Sequence, residues 1–140
     1  MATQRAHDVV VIGGGSAGYA AARTARACGA DVAMVDPGPL GGLCILRGCM
    51  PTKTILRSAE IAALMRRAAE FGLTPVEARA SLSAIVERKN HLVREVADYR
   101  IQQLRDPGYT LYEAPASFLT PHLLQAGREQ ITAQAFIVAT

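Results

Sequence analysis

Two cysteines five positions apart, Cys44 and Cys49, have the most direct capacity for covalent chemistry in this 140-residue chain. They stand in the segment Cys44-Ile45-Leu46-Arg47-Gly48-Cys49-Met50-Pro51. A disulfide needs its Cα atoms within about 7 Å, whereas residues five apart on a regular α-helix lie ~8–9 Å apart. A bond between them therefore requires an irregular turn just before the helix that Pro51 helps to start, and Gly48 permits one. A close pair at a helix N-terminus, which lowers thiolate pKa, suits reversible thiol–disulfide exchange. Two reduced, buried thiols are the plain alternative. No metal is expected, because no second Cys/His pair stands at ligand spacing to complete a tetrahedral site. The third cysteine, Cys28, ends a helix of small residues and reads as a packing thiol.

The second chemical pattern is Gly13-Gly14-Gly15-Ser16-Ala17-Gly18. Gly-x-Gly-x-x-Gly alone is weak, but here an apolar run precedes it, a helical pattern follows it, and Asp36 stands 18 positions beyond Gly18. Gly13 allows a tight turn, Gly15 leaves room for a pyrophosphate against bare backbone, and Gly18 lets helix and strand pack closely. The helix N-terminus offers unpaired N–H groups and the positive end of its dipole to the anion. Asp36 is placed to accept hydrogen bonds from a ribose hydroxyl. These features point to a dinucleotide site without separating FAD from NAD; a tight glycine turn with no ligand is the alternative.

The elements that must position these residues follow from pattern. Asp8–Ile12 reads as a strand buried on both faces. Tyr19–Cys28 reads as a helix stopped by Gly29, and Asp31–Asp36 as a second strand. Strand, glycine turn, helix and strand within roughly 30 residues is the span of a βαβ unit. Leu40–Met50 reads as a loop. Two long helices follow, from Pro51 to about Phe71 and from Ser81 or Ser83 to Arg105. Short strand candidates come next: Tyr109–Glu113, Ala116–Leu119, His122–Gln125 and Gln130–Thr132. Ala135–Ala139 reads as another buried strand. A chain that stops at the tip of a buried strand is expected to be a portion of a longer protein.

Composition bounds the rest. Half of the residues are hydrophobic and 19% are charged, which excludes a disordered chain. No stretch approaches the ~20 apolar residues of a membrane span, and the opening residues carry no apolar segment of a secretory signal. A soluble, cytoplasmic domain is expected. The net charge is +3, but the cations are scattered along helices among glutamates, with no basic block or aromatic platform. They read as solvated helix faces rather than a nucleic-acid surface.

Gly41-Gly42-Leu43-Cys44-Ile45-Leu46-Arg47-Gly48-Cys49-Met50-Pro51-Thr52-Lys53 resembles the redox-active disulfide signature of the class I pyridine nucleotide-disulfide oxidoreductases, which include dihydrolipoamide dehydrogenase, glutathione reductase and mercuric reductase. Phe136-Ile137-Val138-Ala139-Thr140 is similar to that family's second flavin-contacting strand. The resemblance implies an α/β fold: a Rossmann-like FAD-binding domain with a parallel sheet, long helices and a small β-meander. It implies that residues 1–140 are its N-terminal portion, without the family's NAD(P)H-binding and dimerisation domains. Gly13, Gly15, Ser16, Ala17 and Gly18 then cradle the FAD pyrophosphate, with Asp36 on the adenosine ribose. Gly42, Leu43 and Cys44 line the flavin side, and Thr140 sits near the cofactor. Ala116 offers backbone contacts to the adenine. Cys44 becomes the interchange thiol, Cys49 the thiol stacked on the flavin, and Lys53 a cation near flavin N5 that stabilises the reduced, anionic ring.

Leu43 stands where the family usually has Thr, Leu46 where it has Asn, and Arg47 at a commonly apolar position. His7, His91 and His122 lie outside the family's His–Glu motif and read as a terminal flank, a helix-surface residue and a strand or turn residue. The implied activity moves electrons between NAD(P)H, FAD, the Cys44–Cys49 pair and a dithiol or disulfide, a small molecule or a lipoyl-protein, in a homodimer. Dihydrolipoamide dehydrogenase is the leading type and mercuric reductase the next. A plain NAD-dependent dehydrogenase and a non-catalytic FAD-binding module are the rival readings of the residues.

Overall fold

The computed structural model describes residues 4–140. These form two compact units: residues up to Leu43 together with Ala97–Thr140, and Cys44–Val96.

The first unit is built on β1 (Gln4–Ile12), α1 (Ser16–Ala27) and β2 (Val32–Val35), the expected βαβ unit. Its other strands are β3 (Thr110–Tyr112), β4 (Ala116–Thr120), β5 (Leu123–Ala126) and β6 (Glu129–Val138). The six make one sheet of order β3-β2-β1-β6-β5-β4. The β3-β2-β1-β6 half is parallel, and β4-β5-β6 is an antiparallel meander continuous with it. The strand order reverses between β1 and β6. In an open α/β sheet, that reversal leaves a crevice at the carboxyl ends of the strands, and the Gly13–Gly18 turn stands at this end of β1.

The core explains why β1 and β2 read as continuous apolar runs. Val10, Ala33 and Val35 join Leu124, Ala126 and Ile131 of the meander in one cluster. Val11, Val32 and Met34 join Ala22 of α1, Leu40 and Leu104 in another. Alternate residues therefore point into opposite layers, and both faces are buried at Val10–Val11 and along β2.

Several expectations need correction. The sequence places β1 from Asp8, yet it starts at Gln4, because Gln4–His7 pair with Gln130–Ala133 of β6 through backbone hydrogen bonds that need no apolar signal. Gln130–Thr132 and Ala135–Ala139 are one ten-residue strand rather than two, held as one by its register against β1. The end of that strand is not buried: Ile137 and Val138 are both exposed, Val138 at 64%. His7 is no terminal flank; its side chain is buried, with Nδ1 2.8 Å from Asp31 and Nε2 3.2 Å from the Tyr112 hydroxyl. Cys28 is exposed at the C-terminal cap of α1 and packs no core.

The second unit carries α3 (Cys49–Arg66), a 3₁₀ turn (Ala68–Phe71) and most of α4 (Leu82–Leu104), whose last turns belong to the first unit. The expected loop before α3 contains a short helix, α2 (Gly42–Leu46), too brief to leave a periodic signal. The first long helix also starts two residues earlier than expected, at Cys49, and ends as an α-helix at Arg66. Among the described residues no helix is long and apolar enough to cross a membrane.

Candidate functional site

The glycine turn is held by the strands on either side of it. Gly13 N–H donates to the Val35 carbonyl (2.8 Å), and Ala139 N–H donates to the Ile12 carbonyl (2.8 Å). Gly13 has φ +107°, and a Cβ there would stand 2.5 Å from the Ala139 carbonyl oxygen. Both the left-handed backbone and the approach of β6 demand glycine. A Cβ on Gly18 would stand 1.8 Å from the Gly13 carbonyl oxygen, so α1 lies directly on the turn. Gly15 is different: a Cβ there meets nothing within 4 Å. Its freedom from a side chain serves no contact within the protein.

The start of α1 is left open. Gly15 is its N-cap, with no side-chain cap and no acidic residue in the first turn. Tyr19 N–H, donating to the Gly15 carbonyl (2.9 Å), is the first to close the helical ladder. The amides of Ser16, Ala17 and Gly18 thus have no helical acceptor, which leaves donors and a positive dipole end beside an unfilled space. Ser16 and Ala17 are exposed there, and Thr140 N would lie 3.1 Å from a Cβ on Gly13. Gly42, at φ +77°, packs on the same turn: a Cβ on it would be 2.6 Å from Gly15 Cα.

Asp36 does work the sequence does not show. One carboxylate oxygen accepts the Gly14 N–H and the other accepts the Gly38 N–H (2.6 Å). It therefore ties the turn to the end of β2, and a ribose must share oxygens already in use. The signal was the middle glycine of the triplet: a Cβ on Gly14 would stand 3.0 Å from Asp36 Oδ2. Ala116 is not brought to this turn; it packs half-buried against the Val10–Val35 cluster and pairs with Ala126.

In the second unit, Cys44 and Cys49 flank a break in the helix. α2 ends at Leu46, Gly48 adopts φ −119°, ψ −111°, and α3 begins at Cys49. This is the irregular turn that a contact between the sulfurs requires. Both cysteines are free thiols, Cys49 exposed and Cys44 half-buried. The hydrogen bond to Cys44, followed by the negative charge Cys44 can carry, holds the Cys49 thiol above its ordinary range. The backbone amide at the start of α3 and the Lys53 ammonium pull it down, but less. The helix terminus lowers the Cys49 thiol as expected, but the Cys44 sulfur raises it more. The second sulfur outweighs the helix end because a shared proton is a shorter-range, stronger effect than a partial charge. Lys53 is one turn along the exposed face from Cys49, so its charge reaches that sulfur. Pro51 falls in the first turn of α3, where its missing N–H costs no bond.

Compared with known proteins, residues 7–140 match the family described as pyridine nucleotide-disulphide oxidoreductase. This chain belongs to that family. It is 36% identical to a mercuric reductase of Staphylococcus aureus over 135 residues, covering 96% of this chain and 25% of the relative. It is 36% identical to a dihydrolipoyl dehydrogenase of Chlamydia muridarum over 138 residues, covering 96% and 30%. A glutathione reductase of a Nostoc strain is 30% identical over 133 residues, covering 95% and 29%. The chain thus spans between about a quarter and a third of the length of these relatives.

The pyridine nucleotide-disulphide oxidoreductase family uses FAD and NAD(P)H. The first unit fits the diphosphate of such a dinucleotide. The space at Gly15 and the uncapped amides of α1 are what an anion needs, and no carboxylate stands in the first turn of α1 to oppose it. Leu43, the position where the family usually has a hydroxyl, is 74% exposed and offers no side-chain hydrogen bond.

Proposed function

We propose that this chain is the FAD-binding portion of a flavin-dependent disulfide oxidoreductase, with Cys44 and Cys49 as its exchanging thiols. The observation that carries the reading is the placement of Cys44 and Cys49 on either side of the break between α2 and α3, in a chain whose other unit holds an open diphosphate cradle. Gly13, Gly15, Ser16, Ala17 and Gly18 bind the pyrophosphate by backbone amides, Asp36 takes the ribose, and Gly42, Leu43, Ala116 and Thr140 complete the cofactor's surroundings. When bound, FAD supplies a two-electron exchange partner for the cysteine pair.

The thiol chemistry is done by this chain's own residues. Cys49, whose thiol is held above its ordinary range, keeps its proton, while Cys44 gives up its own to the departing substrate thiol and attacks the external disulfide as the thiolate. That forms a mixed disulfide and releases one substrate thiol. Cys49 then gives up its proton and displaces the second thiol, closing the Cys44–Cys49 bond. The substrate gains two electrons and two protons, and the pair loses them. Lys53 favours the Cys49 thiolate at that moment. The reverse direction oxidises a dithiol.

The substrate proposed is a dithiol of the dihydrolipoamide kind, free or carried on a protein, with NAD(P)H as the distal electron partner, in a cytoplasmic homodimer. A second reading, a mercuric reductase-like enzyme, is favoured by the 36% identity to the staphylococcal protein. The test uses the full-length protein, assayed for a bound flavin spectrum and for NAD(P)H-linked turnover with lipoamide, oxidised glutathione and mercuric ion. Flavin retained in wild type, C44S and C49S, with turnover abolished in both variants, is the expected result. No flavin in the full-length protein, or turnover unchanged in both variants, overturns the proposal.

A further inference from the structure

Gly42 stands in the first unit with its backbone at φ +77°, a region that side chains rarely adopt. Space forbids a side chain as well: a Cβ would lie 2.6 Å from Gly15 Cα and 3.6 Å from Gly15 N and C. Carbon atoms in contact need 3.5–4.0 Å, so a methyl here forces the two backbones apart by roughly 1 Å. The atoms it would strike are main chain, so no rotamer change relieves the contact. On its Cβ side Gly15 meets nothing within 4 Å. Its backbone is therefore supported by Gly42 while the direction a side chain would take stays open.

We infer that Gly42 is a positioning residue for the dinucleotide: it acts through Gly15, fixing the level of the phosphate-binding turn by backbone-on-backbone packing. Resting on the reading of that turn as the FAD pyrophosphate site, this gives Gly42 a role that needs no contact with the cofactor. The turn's other supports come from the strand ends, through Gly13 to Val35 and Gly14 to Asp36. Gly42 braces the remaining side, at the residue nearest the open space.

The test compares G42A with G127A in the full-length protein. Gly127, in the β5–β6 turn, has φ +59°, and a Cβ there would meet Ala114 Cβ at 3.1 Å. It thus shares the left-handed backbone, with a milder clash against a side chain, away from the glycine turn. A merely structural role predicts that both variants lose apoprotein melting temperature and bind FAD as wild type does. Positioning predicts that G42A, whatever its loss of melting temperature, binds FAD about tenfold or more weakly while G127A binds it as wild type does, the effect of misaligning one charge-assisted hydrogen bond. Amide hydrogen exchange in wild type gives a second readout that needs no variant to fold: FAD should slow exchange over residues 41–43 together with 13–18. G42A binding FAD within twofold of wild type, or protection confined to 13–18, overturns the inference alone. A wild-type protein that binds no FAD overturns it together with the functional reading.

Discussion

Replacing Gly15 or Gly18 with alanine removes a glycine from the same turn, yet only the second change should destabilise the protein without cofactor. A Cβ on Gly18 would stand 1.8 Å from the Gly13 carbonyl oxygen, where a carbon–oxygen contact needs about 3.3 Å. The helix must retreat by roughly 1.5 Å to make that room. It is not free to do so, because Ala22 of α1 is fully buried with Val11, Met34 and Leu104. Overpacking of this kind costs 1–3 kcal/mol, and a clash with backbone belongs at the top of that range, about 3 kcal/mol. Alanine's better helix propensity returns about 1 kcal/mol. The net loss of about 2 kcal/mol lowers the melting temperature by roughly 4–8 °C.

At Gly15, by contrast, φ −70° and ψ −170° suit alanine, and the methyl meets nothing. Such a change gains about 0.4–1 kcal/mol through the unfolded chain and loses a similar amount because alanine is a poorer N-cap than glycine, so it is close to neutral. The methyl does occupy the space assigned to the diphosphate, so FAD affinity should fall by about tenfold or more. Calorimetry of the flavin-free protein and a fluorescence titration with FAD read the two effects separately. A G18A protein that melts with wild type, or a G15A protein that melts several degrees lower, would refute this division between a glycine needed by the fold and a glycine needed by the ligand.

Two further outcomes follow from the charges. In C44S the sulfur that holds the Cys49 proton is gone, leaving the α3 amide and Lys53 to act on it; the pH profile for iodoacetamide labelling of Cys49, read by mass spectrometry, should move to lower pH, and an unmoved profile removes the basis for Cys49 as the proton-holding thiol. Asp106 accepts the Gly108 N–H (2.8 Å) and pairs with Arg26 (2.8 Å), and these hold its carboxyl below the ordinary range. A depressed folded-state pKa contributes stability above the unfolded value, near pH 4, and loses it as the pH falls through the folded one. The melting-temperature gap between wild type and D106A should therefore be full at neutral pH and close below about pH 4; a gap that persists in acid assigns it to packing instead.

What the sequence could show was local. The Gly13–Gly18 turn was legible because the close seat of α1 on it, through Gly18 and the Gly13 carbonyl, joins residues a few positions apart, whereas the approach of Ala139 to Gly13 and of Asp36 to Gly14 left no local signal. The break at Gly48 was legible for the same reason, since helical geometry forbids two cysteines five apart from meeting without one. The β1 and β2 runs announced themselves because burial on both faces leaves no polar position. Where a residue's fate depended on a partner distant in sequence, pattern was silent or misleading. His7 reads as a flank and is buried, because Asp31 and Tyr112, 24 and 105 residues away, supply its hydrogen bonds. Cys28 reads as a packing thiol, but the helix ends before the core reaches it.

The residues by themselves thus determined the turn, the thiol pair and the βαβ frame, because those rest on backbone dihedrals and short-range sterics. The tertiary structure alone decided that β6 is one strand paired on both edges, that Asp36 is tied to the turn through Gly14, and that Gly42 supports Gly15. Each of these is settled by which groups meet across the fold. Hydrogen bonds and steric contacts act over a few ångströms of space, whatever the distance along the chain.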